Sequence, residues 1–408
     1  MFASCTRGDF LFSHSQPLTW TLATKGLPQD GMWKTTPIFG DVNEDGSPDL
    51  VALPRLGQGA GVWLGDGKGS WRDSSQGLSL PVSCGGGVAL ADVNNDGHLD
   101  LVVADHCAGV FVYLGDGRGH WKAVVQGLNP AASRQQPPSA DEDNRFTGAE
   151  DVALGDVNED GFVDMVVGSR NDGGITVYLG DGTGHNWKEA SSDGLPKTGF
   201  ATRLLLRDID GDGHLDVVAS YSDGPKVWRG DGKGHFHPYS QGLPTPSVGG
   251  FYRGIAVGDV NGDGRLDLAF ANRRNGPELY LQTAGGTWRQ APPPMPSLKG
   301  GAMSIALGDL ERDGHLDMVI GGRRSLKTQY GLFVLHGDGK GGRTELQTNL
   351  PTDGLPFIWG ITLADVDGDG LLDLAVATGT VPPQRQPDEP LPRMQVWLNR
   401  YSGKAQDP

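Results

Sequence analysis

Val257-Gly-Asp259-Val-Asn261-Gly-Asp263-Gly-Arg265-Leu-Asp267-Leu-Ala-Phe270 reads as a short apolar run, a nine-residue loop and a second apolar run. The loop carries oxygen-bearing side chains at its first, third, fifth and ninth positions and Gly264 at its sixth. A hard cation such as Ca²⁺ gathers about six to eight oxygens at about 2.3–2.6 Å, and alternate side chains of a tightly curled loop converge on one point. Asp259, Asn261, Asp263 and Asp267 would supply side-chain oxygens and Arg265 its backbone carbonyl, while Gly264 permits the sharp turn.

Clusters of Asp, Asn and Gly also build ordinary turns, but this one occurs seven times, with start-to-start spacings of 51, 64, 52, 51, 50 and 56 residues. The other six sets are Asp41, Asn43, Asp45, Ser47 and Asp49; Asp92, Asn94, Asp96, His98 and Asp100; Asp156, Asn158, Asp160, Phe162 and Asp164; Asp208, Asp210, Asp212, His214 and Asp216; Asp309, Glu311, Asp313, His315 and Asp317; and Asp365, Asp367, Asp369, Leu371 and Asp373. The first, fifth and ninth positions never vary. The seventh varies freely, as it should if only its carbonyl is used.

A period near 50 residues overrides the two or three domains that 408 residues would otherwise suggest. With 65 glycines, 27 prolines and 8% aromatics, the chain is built for short strands and turns. The second repeat shows the order: strand Gly86–Ala91, the loop, strand Leu99–Ala104, strand Val110–Leu114, the turn Gly115–Gly119, and strand Trp121–Gln126. Four antiparallel strands per unit, repeated around an axis, make a propeller blade. The last repeat lacks a fourth strand, and Trp20-Thr-Leu-Ala-Thr-Lys25-Gly-Leu-Pro28 matches the fourth strands at Trp71 and Trp121. The sequence therefore predicts an all-β, seven-bladed β-propeller closed by its N-terminal strand, with residues 20–399 as one domain, a flexible N-terminal tail at 1–19 and a C-terminal tail at 400–408.

The formal charge of −16 excludes nucleic-acid binding through a basic face. Seven divalent ions would nearly cancel it, so the acidity is mostly a property of the loops. Cys84 lies eight residues before the second loop and Cys107 seven after it, nearly opposite in an antiparallel hairpin. A disulfide is expected there, with two buried thiols as the alternative, and disulfides and weak Ca²⁺ sites both belong outside the cytoplasm. No transmembrane run is present. Phe2-Ala-Ser-Cys5 reads like the end of a bacterial lipobox, which would place a lipid anchor on Cys5. Arg7-Gly8-Asp9 is too short to carry a function in a chain so rich in Gly and Asp.

The loops, followed by a Leu-Gly-Asp-Gly-x-Gly turn as at Leu114–Gly119, resemble the FG-GAP/VCBS repeats of integrin-alpha-type seven-bladed propellers, over Trp20 to Leu398. The resemblance implies Ca²⁺ in the loops between first and second strands, up to seven ions. It also implies extracellular adhesion or ligand binding, since related propellers include integrin heads, secreted lectins and some polysaccharide-processing proteins. Unlike the integrin pattern, all seven repeats keep the loop.

In a propeller the second-to-third and fourth-to-first connections share the face opposite the metal loops, and here that face is irregular. Trp33, Arg145, Phe251, Tyr252, Arg253, Arg274 and Trp359 fall on it, an aromatic and cationic set suited to stacking on sugar rings and gripping hydroxyls or carboxylates. Eight of the ten histidines have repeat or tail positions, leaving His106 and His237. The reading is an extracytoplasmic, calcium-stabilised propeller that binds a glycan or surface protein through this upper face. The alternatives are a lyase-like carbohydrate-active enzyme using the same face and a structural module of a surface assembly. No catalytic residues are assigned.

Overall fold

The computed structural model describes residues 18–57, 59–80, 83–128, 148–169, 173–190, 194–244, 251–292, 298–379 and 391–402. Among them are 28 strands and no helix, arranged as seven four-stranded antiparallel sheets. Six blades take four consecutive strands; blade five is Tyr252–Gly258, Asp267–Asn272, Gly276–Gln282 and Trp288–Gln290. The seventh is Phe357–Ala364, Asp373–Gly379 and Met394–Asn399 with Trp20–Leu22 as its outer strand. Trp20 lies opposite Asn399, Thr21 opposite Leu398 and Leu22 opposite Trp397, so the ring closes as the repeat pattern predicts. Packing runs slightly past residues 20–399: Leu18 is buried and Arg400 N–H donates to the Thr19 carbonyl.

Each blade is sandwiched between two others, so the second strands are buried on both faces. That is why they read as continuous apolar runs, with Asp267–Asn272 buried throughout. Outer strands face solvent on one side: Trp288 is buried, Arg289 and Gln290 exposed. Seven apolar clusters fill the seven interfaces between blades. Trp20, though 283 positions before Met303, shares with it the cluster between blades six and seven.

The first strands line a central channel holding a cavity of about 220 Å³, with Thr35, Gly87, Asp151, Arg203, Gly254, Ser304 and Ile361 each contributed by a different blade. At the upper end of these strands the register slips in blades three to seven, leaving Glu150, Thr202, Arg253, Met303 and Trp359 as the extra residue. A bulge bends its strand and re-aims a side chain. No helix among the described residues is long and apolar enough to cross a membrane.

Candidate functional site

Three of the bulged residues meet over the channel. Glu150 from blade three is buried, and Lys34 Nζ from blade one lies 3.1 and 3.3 Å from its two oxygens. His106 Nδ1 hydrogen-bonds Glu150 Oε2 and lies 3.1 Å from Lys34 Nζ. Arg253 Nη1 donates to Glu150 Oε1 at 3.3 Å. Burial alone would push the Glu150 carboxyl up, but Lys34, His106 and Arg253 outweigh it and hold the group well below its ordinary value. The next residue goes the other way. Burial pushes Asp151 up to about 6 despite Arg203, whose Nη1 lies 3.6 Å from it.

A disulfide joins Cys84 and Cys107, with Cα atoms 5.7 Å apart, beside His106. Asp105 accepts backbone N–H groups from Cys84 and Cys107 at 2.8 and 2.9 Å, fixing the turn that presents the imidazole.

Beyond Glu150 the mouth is aromatic. The Arg253 guanidinium carbon lies 4.9 Å from the Phe251 ring centroid and 5.6 Å from that of Trp359. Trp359 stacks on Phe357 at 5.6 Å, Phe357 meets Tyr330 at 4.9 Å, and Arg273 covers Phe357 at 5.7 Å. Arg253 Nε and Trp359 Nε1 are buried atoms without a hydrogen-bond partner among the described residues. Neither atom is reachable from solvent, the indole nitrogen lying against Gly379, so what the mouth presents is a partly exposed guanidinium between aromatic rings.

Of the residues that the sequence placed on this face, Phe251, Arg253 and Trp359 come together here. Arg274 is exposed on the rim. Tyr252 does not face the ligand side: it packs against Phe270 at 5.9 Å and gives its hydroxyl to Glu278 at 2.8 Å. Trp33 is likewise core, edge-on to Trp63 at 5.1 Å with its indole N–H on the Asp30 carbonyl. Arg145 lies outside the described residues. Sequence reasoning missed Lys34, His106 and Glu150 as a cluster. The available signal was a charged residue just before the first strand in blade one and at its second position in blades three and five.

On the lower face the seven loops share one hydrogen-bond scheme. In every loop the first Asp accepts from the sixth-position Gly N–H, as Asp259 Oδ2 does from Gly264 at 2.8 Å, and in all but blades four and seven its other oxygen accepts from the fifth-position N–H, as Asp259 Oδ1 does from Asp263 at 3.2 Å, so the first Asp curls the loop around itself. Asp267 is buried and pins the loop, accepting from Val260 N–H at 3.1 Å and from Gln282 N–H at the end of the third strand at 2.9 Å. Burial pushes Asp49, Asp100, Asp164, Asp216, Asp267 and Asp317 up to about 6 and Asp373 to about 7. The fourth position is left-handed in every blade, with φ of 58° at Glu44, 57° at Asn95, 58° at Glu159 and 56° at Arg312, and glycine in the other three. Neither feature was read from the sequence, although Gly211, Gly262 and Gly368 signalled the second.

The donor set suits a hard cation. Carboxylate oxygens of Asp208, Asp210 and Asp216, and of Asp365, Asp367 and Asp373, lie within 4.8 Å of one another. That is about twice a Ca²⁺–oxygen distance, the span of ligands facing one ion.

A family model described as FG-GAP-like repeat matches residues 41–103, 92–167, 156–219, 208–270 and 259–320. The chain belongs to the FG-GAP-like repeat family. Each FG-GAP match opens on the first Asp of a loop and ends within the second strand of the next blade. No curated protein matches this FG-GAP chain. Among solved structures, BBS1N in complex with ARL6DN, from a mercury-soaked crystal, has a TM-score of 0.57 at 11% identity over 94% of this chain and 98% of that one. The lead-soaked crystal gives 0.56 at 11% identity, over 95% and 99%. An Agrocybe aegerita lectin that recognises non-reducing terminal N-acetylglucosamine has a TM-score of 0.48 at 17% identity over 89% and 98%. At such identities the likeness is one of fold alone.

Proposed function

We propose that this FG-GAP propeller is an extracytoplasmic, Ca²⁺-stabilised binding module that takes a glycan or surface-protein ligand at the mouth of its channel, on the face opposite the loops. The observation that carries the reading is Arg253, partly exposed at the mouth and bracketed by Phe251 and Trp359. Aromatic faces beside a guanidinium suit a ring bearing hydroxyl or carboxylate acceptors. Ca²⁺ would act through the fold, relieving carboxylate repulsion in the loops and so stiffening blades whose other ends form the mouth. The disulfide supports an oxidising compartment.

The test is a glycan array of neutral and acidic oligosaccharides probed with the full chain, with and without chelator, and repeated with Trp359→Ala. Binding lost in that variant at unchanged melting temperature supports the reading; a bound glycan indifferent to Trp359 overturns the placement. Lys34, His106 and Glu150 are the groups that the lyase-like reading would use, and shortening of the bound glycan on incubation would favour it.

A further inference from the structure

The seven loops are not chemically alike. In blades one, two, three and five the third residue is Asn, whose Nδ2 donates to the fifth-position Asp at 2.8–3.0 Å. In blades four, six and seven it is an acid, and each time a basic side chain from the third strand or just after it reaches that acid. Arg229 Nη1 lies 3.0 Å from Asp210, and Arg400 Nη1 lies 2.6 Å from Asp367. In blade six the basic group is His336, with Nδ1 2.8 Å from Glu311 Oε2, 3.4 Å from Asp317 Oδ1 and 3.9 Å from Asp313 Oδ2.

A guanidinium has no lone pair to give a metal, whereas a neutral imidazole does. The His336 side chain is 32% exposed, but its Nδ1 atom is shut off from solvent and faces the carboxylates of Glu311, Asp313 and Asp317. One ligand atom each of Glu311, Asp313 and His336 lies within 4.8 Å of the others, the span of ligands gathered on one ion. Separations of 2.8–3.9 Å also fit ligands about 2.0–2.2 Å from a shared ion. Five of the other blades place Leu64, Leu114, Leu179, Leu281 and Leu398 at the position of His336, so the imidazole is not demanded by the propeller.

We infer that the blade-six loop is a mixed nitrogen–oxygen site, formed by His336, Glu311, Asp313 and Asp317, that takes a first-row divalent transition ion of the Zn²⁺, Ni²⁺ or Co²⁺ class in preference to Ca²⁺. Imidazole suits these ions and carboxylate-only sets suit Ca²⁺. The site does not depend on the other loops holding Ca²⁺.

Co²⁺ is the probe. Full-length protein stripped with chelator and held in excess Ca²⁺ should take up one Co²⁺, seen as visible d–d absorption and as one equivalent after dialysis. His336→Leu should weaken that uptake by about 10–100-fold or more, on the order of the loss from disturbing a ligand's support, and leave the Ca²⁺ count and melting temperature unchanged. Glu311→Gln should weaken it with the imidazole intact. No Co²⁺ held against Ca²⁺ in the unaltered protein, or equal uptake by His336→Leu, overturns the assignment. A low Ca²⁺ count with Co²⁺ uptake intact counts against the calcium reading alone.

Discussion

Arg253 Nη1 lies 3.3 Å from Glu150 Oε1, joining blade five to blade three across the channel mouth. Lys34 and His106 contact the same carboxylate, so one buried anion ties together three other parts of the ring. Its folded value lies below the ordinary 4.5. The cluster's stability is therefore fully present above that pH and is lost as pH falls from 4.5 toward the folded value. Glu150→Gln strands buried cations and should cost about 3–5 kcal/mol near neutral pH. Thermal melts should show the gap between parent and variant closing in acid; a gap constant from about pH 7 to about pH 3 would contradict the cluster's role.

The fold was legible because it is written locally and seven times. A nine-residue loop sets a strand end on each side of itself, and the Trp-led fourth strand recurs closely enough to identify Trp20–Leu22 as the missing piece of the last blade. The mouth was less legible for two physical reasons. Lys34 and Glu150 are 116 positions apart, and no local pattern states that two blades of the ring will pair them. The second reason is the bulge. In blade five the register slips between Tyr252 and Gly254, so Arg253 turns to the mouth while Tyr252 packs on Phe270. A one-residue slip reverses which side chain faces out, and nothing in Phe251-Tyr-Arg marks where it falls.

Ring closure should be sensitive to one side chain. Trp20 is buried between the last two blades, and its backbone N–H and carbonyl both bond the Asn349 side chain at 2.7 Å. Trp20→Ala should cost about 3–5 kcal/mol, as large-to-small core changes do. It should also loosen the edge of Met394–Asn399 and promote association on heating. Urea unfolding and light scattering measure both, and an unshifted midpoint would mean that this strand does not hold the ring.

Loop positions should separate by their dependence on the ion. Asn261 is half-buried and bonds only within its own loop, its Oδ1 accepting from Asp263 N–H at 3.0 Å and its Nδ2 donating to Asp263 at 3.0 Å, so Asn261→Ala should lower the Ca²⁺-free melting temperature only slightly and reduce the rise on adding Ca²⁺. Asp267 holds two backbone N–H groups and is buried. Asp267→Ala should cost about 2–4 kcal/mol even without Ca²⁺, because both donors lose a charged acceptor. Calorimetry with and without EDTA decides it: equal behaviour of the two variants in EDTA would show that Asp267 matters only as a ligand.

Recognition at the mouth should be separable from the core beneath it. Trp359 is half-buried, stacks on Phe357 and caps Arg253, whereas Tyr252 is fully enclosed with its hydroxyl on Glu278. Trp359→Ala should weaken binding of whichever array glycan is captured by about 1–3 kcal/mol, the scale of an aromatic anchor, at nearly constant melting temperature. Tyr252→Phe should do the reverse, lowering stability by about 1 kcal/mol through the lost hydrogen bond while binding persists. Arg253→Lys keeps the charge but loses the planar guanidinium that fits between two rings, so it should weaken binding with little change in salt dependence. Titrations of the three variants against one immobilised glycan order them. If Tyr252→Phe abolishes capture without unfolding and Trp359→Ala does not, the ligand approaches through the blade-five interface, and the bracketed guanidinium is packing.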